Sequence, residues 1–227
     1  MELNRAAFLA GSLAALSVAI PRGIRGSESV PEGLDPDKAL AELMAGNKRF
    51  VENDFPPLTK LDEKRELLVD SQAPFAAILG CADSRVIPNI VFVQGIGDLF
   101  VVRVAGNYPD GLVVASLEYA VEHLGTRLIM VLGHQNCGAV KAVYSAIQTR
   151  TDLPRHLSTI ERLIEPGIEN VVRARGSMMD AIEANVRAAD ASLKATPPIL
   201  TKALSSGHVK IVGAVYELGT GKVNLID

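Results

Sequence analysis

The chain has 227 residues, 48% of them apolar, with 23 basic and 26 acidic side chains and a net charge of −3. That length and apolar content suit one core of about 200 residues plus an extension, and the absence of a basic cluster argues against nucleic acid as a partner. Two cysteines exclude a disulfide-rich scaffold, although a single Cys81–Cys137 pairing stays open at this point.

The N-terminus carries Arg5, then the apolar run Ala6–Ile20, and no acid between Glu2 and Glu28. A basic start, an apolar stretch and the small residues around Ser17-Val18-Ala19 are the parts of an export signal. At roughly 15 residues the run falls short of the about 20 that a stable membrane span needs. Asn4-Arg5-Ala6-Ala7-Phe8-Leu9 resembles a twin-arginine signal with Asn4 in place of the first arginine. The expectation is export to a bacterial periplasm by that route or the general one, and a cytoplasmic protein if the segment is not a signal. Arg22–Gly33 reads as a Gly/Ser/Pro linker, so residues 1–33 are expected to form signal and linker and 34–227 one folded domain.

Asp35 predicts a helix cap, with Pro36 in the first turn and Leu40, Leu43, Met44 and Phe50 at helical spacing. A Pro-Pro loop and a short helix over Asp62–Asp70 follow. Phe75–Gly80, Leu99–Val104 and Leu128–Gly133 are continuous apolar runs of strand length, as expected of strands buried on both faces of a parallel sheet. Between them Val113–Leu124 has helical periodicity. Further helices are expected over Gly138–Gln148, Leu153–Glu165, Ser177–Ala191 and Ile199–Leu204, then a strand over Val209–Tyr216 and a short last strand over Lys222–Ile226. The alternation predicts an α/β fold with a central, mainly parallel sheet flanked by helices.

On that frame Cys81-Ala82-Asp83-Ser84-Arg85 directly follows the first core strand, and His134-Gln135-Asn136-Cys137 the third. Ligands in open α/β sheets bind outside the carboxyl ends of strands, so both motifs meet at one edge. Cys81, His134 and Cys137 then offer two sulfurs and one nitrogen, and three protein ligands with one open position is the arrangement of catalytic zinc. Asp83 can orient a metal-bound hydroxide, and Arg85 can hold Asp83 ionised by a two-pronged contact. Released from Arg85, Asp83 can instead take the fourth position and close the site. The plainer alternatives are a small buried cysteine after a strand and an Asp-Ser-Arg turn. His123 and His156 lack such a setting and read as surface residues; His208 reads as structural.

These residues resemble the β-class carbonic anhydrases. The likeness runs from about Leu40 to Ile226 and rests on Cys81-Ala82-Asp83-Ser84-Arg85-Val86, Gly97–Arg103, Ala105-Gly106-Asn107, Ser116–Val121 and Gly133–Val140. It implies reversible hydration of CO2 to bicarbonate and a proton through zinc-bound hydroxide. One Zn2+ per subunit would sit on Cys81, His134 and Cys137, with Asp83 and Arg85 as the catalytic pair and Asp83 as a ligand only in a closed form. It further implies Gln72 as an amide facing the substrate, within the chain or across a subunit interface, and Phe100 and Tyr119 as aromatics of an apolar pocket, or else simply core. His123, four residues after Tyr119 on one helix face, is a candidate proton shuttle. The smallest unit implied is a homodimer, its N-terminal helix reaching over the partner through Leu40, Leu43 and Phe50. Asn89 and Val93-Gln94 depart from the usual acidic pattern but touch no ligand. Competing readings keep the metal but act on a CO2 analogue (COS or CS2), retain zinc without catalysis, or cycle the two cysteines as a disulfide.

Overall fold

The computed structural model describes residues 33–57 and 61–226. The expected export segment therefore lies outside the described residues, as does all of the linker except Gly33.

The first helix, α1 (Pro36–Val51), starts where its cap predicts: Asp35 Oδ1 accepts from the amides of Asp37 (3.1 Å) and Lys38 (3.2 Å), a contact worth about 1 kcal/mol. The short α2 (Leu61–Leu67) follows and buries no side chain. The chain then enters β1 (Ala76–Gly80), α3 (Pro88–Val91), β2 (Leu99–Arg103), α4 (Gly111–Leu124), β3 (Leu128–His134) and α5 (Gly138–Thr149). It continues through α6 (Leu157–Arg173), α7 (Met178–Lys194), α8 (Ile199–Ser205), β4 (Lys210–Tyr216) and β5 (Val223–Ile226). The sheet order is β2-β1-β3-β4-β5, with parallel pairing throughout except for the antiparallel edge strand β5. The mainly parallel α/β sheet read from the apolar runs is the observed one.

Strand alternation divides the core. Ala77, Leu79, Ile129 and Val131 face a cluster built with α4 to α8. Ala76, Ile78, Leu128, Met130 and Leu132 face a second cluster with α1 and Phe92. Both faces of β1 and β3 are covered, and all their residues are buried, which is why their sequences show no polar alternation.

Three elements differ from their prediction. The four-residue α3 was not expected, being too short to leave a periodic signal. The helix expected over Leu153–Glu165 begins later, because the Glu161 carboxylate accepts from the Leu153 amide at 2.8 Å and holds that residue in the loop. It also continues past Pro166, carried by Glu161, Ile164, Ile168 and Val172 buried at helical spacing; tertiary packing outweighs the one backbone hydrogen bond a proline removes. Finally, α1 covers its own sheet. Leu43 is fully buried there, with Leu40 and Phe50 packed against the same cluster. Asn47 ties the helix down through the Val91 and Gly221 carbonyls and the Val223 amide. Leu43 is thus used up within the chain, whereas Leu40 and Phe50 pack on the same cluster and keep part of their surface exposed.

Candidate metal centre

The chain leaves β1 toward β2 on one side and leaves β3 toward β4 on the other. The carboxyl ends of β1 and β3 therefore flank a topological switch point, the usual crevice for ligands in such sheets. Gly80 is in register with Leu132, so Cys81, just beyond β1, comes level with the end of β3. His134 is the last residue of β3, one position earlier than the sequence places it. Gln135 and Asn136 turn the chain, Asn136 in the left-handed region at φ 56°. Cys137 then caps the N-terminus of α5.

Cys81, His134 and Cys137 are all buried, and one ligand atom from each lies within 4.8 Å of the others. The two sulfurs are 3.9 Å apart and both cysteines are free, so the disulfide alternative is not the observed state. Tetrahedral zinc with bonds of about 2.3 Å to sulfur requires the sulfurs about 3.8 Å apart. His134 Nδ1 lies 3.0 Å from the Gln135 carbonyl, which sets the ring so that Nδ1 carries the proton and Nε2 the lone pair. Nε2 is buried and has no hydrogen-bond partner. A buried lone pair without a donor is costly, and one aimed at two thiols is what a soft divalent cation satisfies. The donor set fits zinc.

The protonation of the two sulfurs is coupled. Cys81 is drawn well below the usual thiol range, first by the hydrogen bond from Cys137 and then by the Gly106 amide, against the cost of burial. Cys137 is pushed up, because it holds the proton that Cys81 gives up and because it is buried. Two adjacent thiolates need a cation between them, so metal uptake here releases protons.

Asp83 sits above this cluster. Its Oδ2 is 3.8 Å from His134 Nε2. Arg85 grips it with both prongs, Nε to Oδ1 at 2.9 Å and Nη2 to Oδ2 at 2.7 Å, and the Arg85 amide adds a third contact at 2.9 Å. Those hydrogen bonds hold the Asp83 carboxyl far below the ordinary carboxylate range. Three residues that the motifs did not single out complete the surroundings. Arg103 donates to the carbonyls of Cys81 (2.9 Å) and Asp83, pinning the loop that carries both; its charge at the end of an apolar strand was the available signal. The Gly106 amide donates to Cys81 Sγ at 3.4 Å, and Asn185 holds Gly106 from α7; Gly106 lies in the quoted Ala105-Gly106-Asn107 with no role assigned to it there, and Asn185 left no mark in sequence spacing.

The remaining expected residues are placed elsewhere within the chain. Phe100 is paired with Ala77, four positions before Cys81, about 13 Å back along the strand direction. Its ring lies 6.4 Å from that of Tyr119, which lies 5.1 Å from the His123 ring. The helix spacing of Tyr119 and His123 is thus realised, in an aromatic row at the opposite end of the sheet from the thiols. Gln72 is exposed before β1, also at that end. His123 and His156 are exposed. His208 is exposed too, tied in through its backbone: its carbonyl accepts from Arg127 and its amide donates to the Ala203 carbonyl.

An open α/β sheet with a Cys-His-Cys donor set at its switch point and a clamped carboxylate beside it defines a class of metal-dependent enzyme. Residues 76–223 match the family model described as carbonic anhydrase. The chain is 39% identical over 192 residues to a carbonic anhydrase of Mycolicibacterium smegmatis, covering 84% of this chain and 93% of that protein. It is 38% identical over 194 residues to carbonic anhydrase 2 of Mycobacterium tuberculosis, covering 85% and 94%. Among solved structures, the Coccomyxa β-carbonic anhydrase in complex with acetazolamide aligns with a TM-score of 0.63 at 30% identity, over 82% of this chain and 86% of that one. The chain belongs to the β-carbonic anhydrase family, and with it to the lyases that act as carbonate dehydratases.

Proposed function

We propose that this chain is a zinc-dependent carbonic anhydrase that interconverts CO2 and bicarbonate through Cys81, His134, Cys137 and the Asp83–Arg85 pair. The observation that carries the reading is the buried, unpartnered Nε2 of His134, facing two sulfurs and lying 3.8 Å from a carboxylate that another residue keeps ionised. Zinc held by these three side chains supplies a Lewis acid that makes water nucleophilic near neutral pH. The chain's own residues do the rest. The backbone carbonyl of Gln135 fixes the His134 tautomer. Asp83 accepts a hydrogen bond from the attacking oxygen and aims its lone pair at the carbon of CO2. Arg85 keeps Asp83 an acceptor by holding it deprotonated. The product proton leaves to buffer. If Arg85 let go, Asp83, whose Oδ2 lies 3.8 Å from His134 Nε2, could turn toward the Cys81–His134–Cys137 cluster and would close the site.

Gln72, Phe100 and Tyr119 support a second part of the reading. They lie at the wrong end of the sheet to reach their own chain's cluster, so we assign them to the pocket of a neighbouring copy in a homodimer or larger assembly. A β-carbonic anhydrase pair from Sordaria macrospora is described as tetrameric. His123, stacked near Tyr119, would pass protons from that shared pocket. An unchanged rate at low buffer in His123→Ala removes that role. No helix among the described residues is long and apolar enough to cross a membrane. Export remains our reading of residues 1–33; a reporter fused to them that stays in the cytoplasm would overturn it.

The direct test is metal analysis with stopped-flow CO2 hydration across pH, alongside Asp83→Asn. We expect one zinc per chain, activity lost to chelator and restored by zinc, and a folded, zinc-loaded mutant whose rate collapses. Folded protein that takes up no zinc, an equally active mutant, or sulfide release from COS without CO2 hydration would each overturn the assignment.

A further inference from the structure

The inner face of α7 is an apolar stripe of Ala181, Ile182, Val186, Ala189 and Leu193, interrupted by Asn185, which is 1% exposed. Burying a carboxamide costs free energy unless its polar atoms are paired, and a leucine would continue the stripe. Asn185 makes one such pairing: Nδ2 donates to the Gly106 carbonyl at 2.9 Å, across 79 residues of sequence. Its Oδ1 has no partner. The amide therefore leaves half its capacity unmet in order to hold one carbonyl, which is a poor bargain for fold stability alone.

That carbonyl belongs to a turn under conformational constraint. The Asn107 amide donates to the Val104 carbonyl at 3.0 Å. Gly106 and Asn107 are consecutive left-handed residues, at φ 80° and 46°. The first position demands glycine twice over, since a Cβ there would also lie 2.5 Å from Ile164 Cδ1 and 3.3 Å from Ala139 Cβ. The second is tolerable for asparagine but disfavoured for most residues. Four-residue turns have two favoured orientations of their middle peptide, and a φ near +80° at the third residue selects one of them. In this turn the middle peptide carries the Gly106 N–H that donates to Cys81 Sγ. The Gly106–Asn107 peptide is therefore held at both ends, its N–H by the Val104 carbonyl within the turn and its carbonyl by Asn185 from α7; Asn185 is the side chain that ties the turn to another element, since the Asn107 Nδ2 is buried without a partner.

We propose that Asn185 is a positioning residue for the metal centre: it locks the Gly106 turn so that the Gly106 amide stays on the Cys81 sulfur. The inference rests on Cys81 being a zinc ligand. An N–H donor on a ligand sulfur opposes its protonation and withdraws charge that the thiolate would otherwise give to the metal, and removing such outer partners typically weakens metal sites by about 10–100-fold.

Asn185→Leu tests this, because it removes the clamp while completing the apolar stripe. Zinc release from the holoenzyme to excess chelator is measured together with the thiolate-to-metal charge-transfer band of the cobalt(II)-substituted protein and the thermal midpoint. We expect a midpoint close to the parent's, the completed stripe offsetting the unpaired Gly106 carbonyl, zinc release on the order of 10-fold faster, and a band moved to longer wavelength. Unchanged release and an unchanged band in folded Asn185→Leu would overturn the proposal. If that variant does not fold, Asn185→Thr takes its place: a parent-like band in a destabilised Thr variant shows a merely structural role and overturns it equally, and a displaced band supports it. Failure of the zinc reading is distinct, because the parent would then hold no zinc.

Discussion

Asp83 and Arg85 show how one contact decides which chemistry a side chain can do. Asp83 is only 16% exposed and lies beside a histidine that is fully buried, so without a cationic partner burial would favour its protonated form. The bidentate Arg85 reverses that preference and holds the carboxyl down. The sign follows directly. A carboxyl whose folded pKa is depressed adds stability that is complete above its unfolded value, about 3.9, and is lost as pH falls through the folded value. Arg85→Leu is expected to raise the Asp83 pKa. Freed from Arg85, Asp83 should also close the site, so the hydration rate should fall at every pH, the activity that is left should show an acid limb moved to higher pH, and acid unfolding should begin at a higher pH than in the parent. Zinc content should not change, since Arg85 is not a ligand. Stopped-flow rates and circular dichroism across the acid range check both; an acid limb that stays in place would show that Arg85 is not what keeps Asp83 ionised.

At the level of elements, α1 shows where sequence reasoning stops. The cap at Asp35 and the spacing of Leu40, Leu43 and Phe50 are local facts, so the helix and its apolar face were legible. Which surface that face covers is not local, and Asn47 decides it by bridging Val91, Gly221 and Val223. The same division holds at the site. Cys81, His134 and Cys137 were legible as a candidate donor set, because metal-ligating side chains are of few types and the strand ends collect them, and the structure brings the three together. Arg103 and Gly106 lay within quoted motifs but without their roles, and Asn185 was not legible at all, because hydrogen bonds to the main chain of distant segments leave no spacing. Packing of α1 on its own sheet makes Leu43→Ala a core deletion, expected to lower the unfolding free energy by about 2–5 kcal/mol without weakening subunit association. Denaturant unfolding and sedimentation at several concentrations separate the two, and a variant of parental stability that dissociates would return α1 to the interface.

For the whole molecule the question is which chain completes which site. The thiols of one chain lie at the carboxyl end of the sheet, and Gln72, Phe100 and Tyr119 lie at the other. β2 is an edge strand whose backbone has no second neighbour in the described sheet, and Tyr119 beyond it is 48% exposed. A two-fold dimer places the same patch of each chain against the other, so each active centre would combine one chain's metal ligands with its partner's Gln72. Such an arrangement is testable by complementation. Asp83→Asn spoils the centre on its own chain; Gln72→Leu spoils the centre on the partner. Each mutant homodimer should hydrate CO2 poorly. In a mixed dimer, however, both defects fall on one centre and leave the other intact. Random pairing yields mixed dimers as half the population, so co-expression with two different tags should restore about a quarter of parental activity, and the doubly tagged fraction about half. If purified mixed dimers are as inactive as their parents, Gln72 does not serve across the interface, and the two ends of the sheet belong to separate functions.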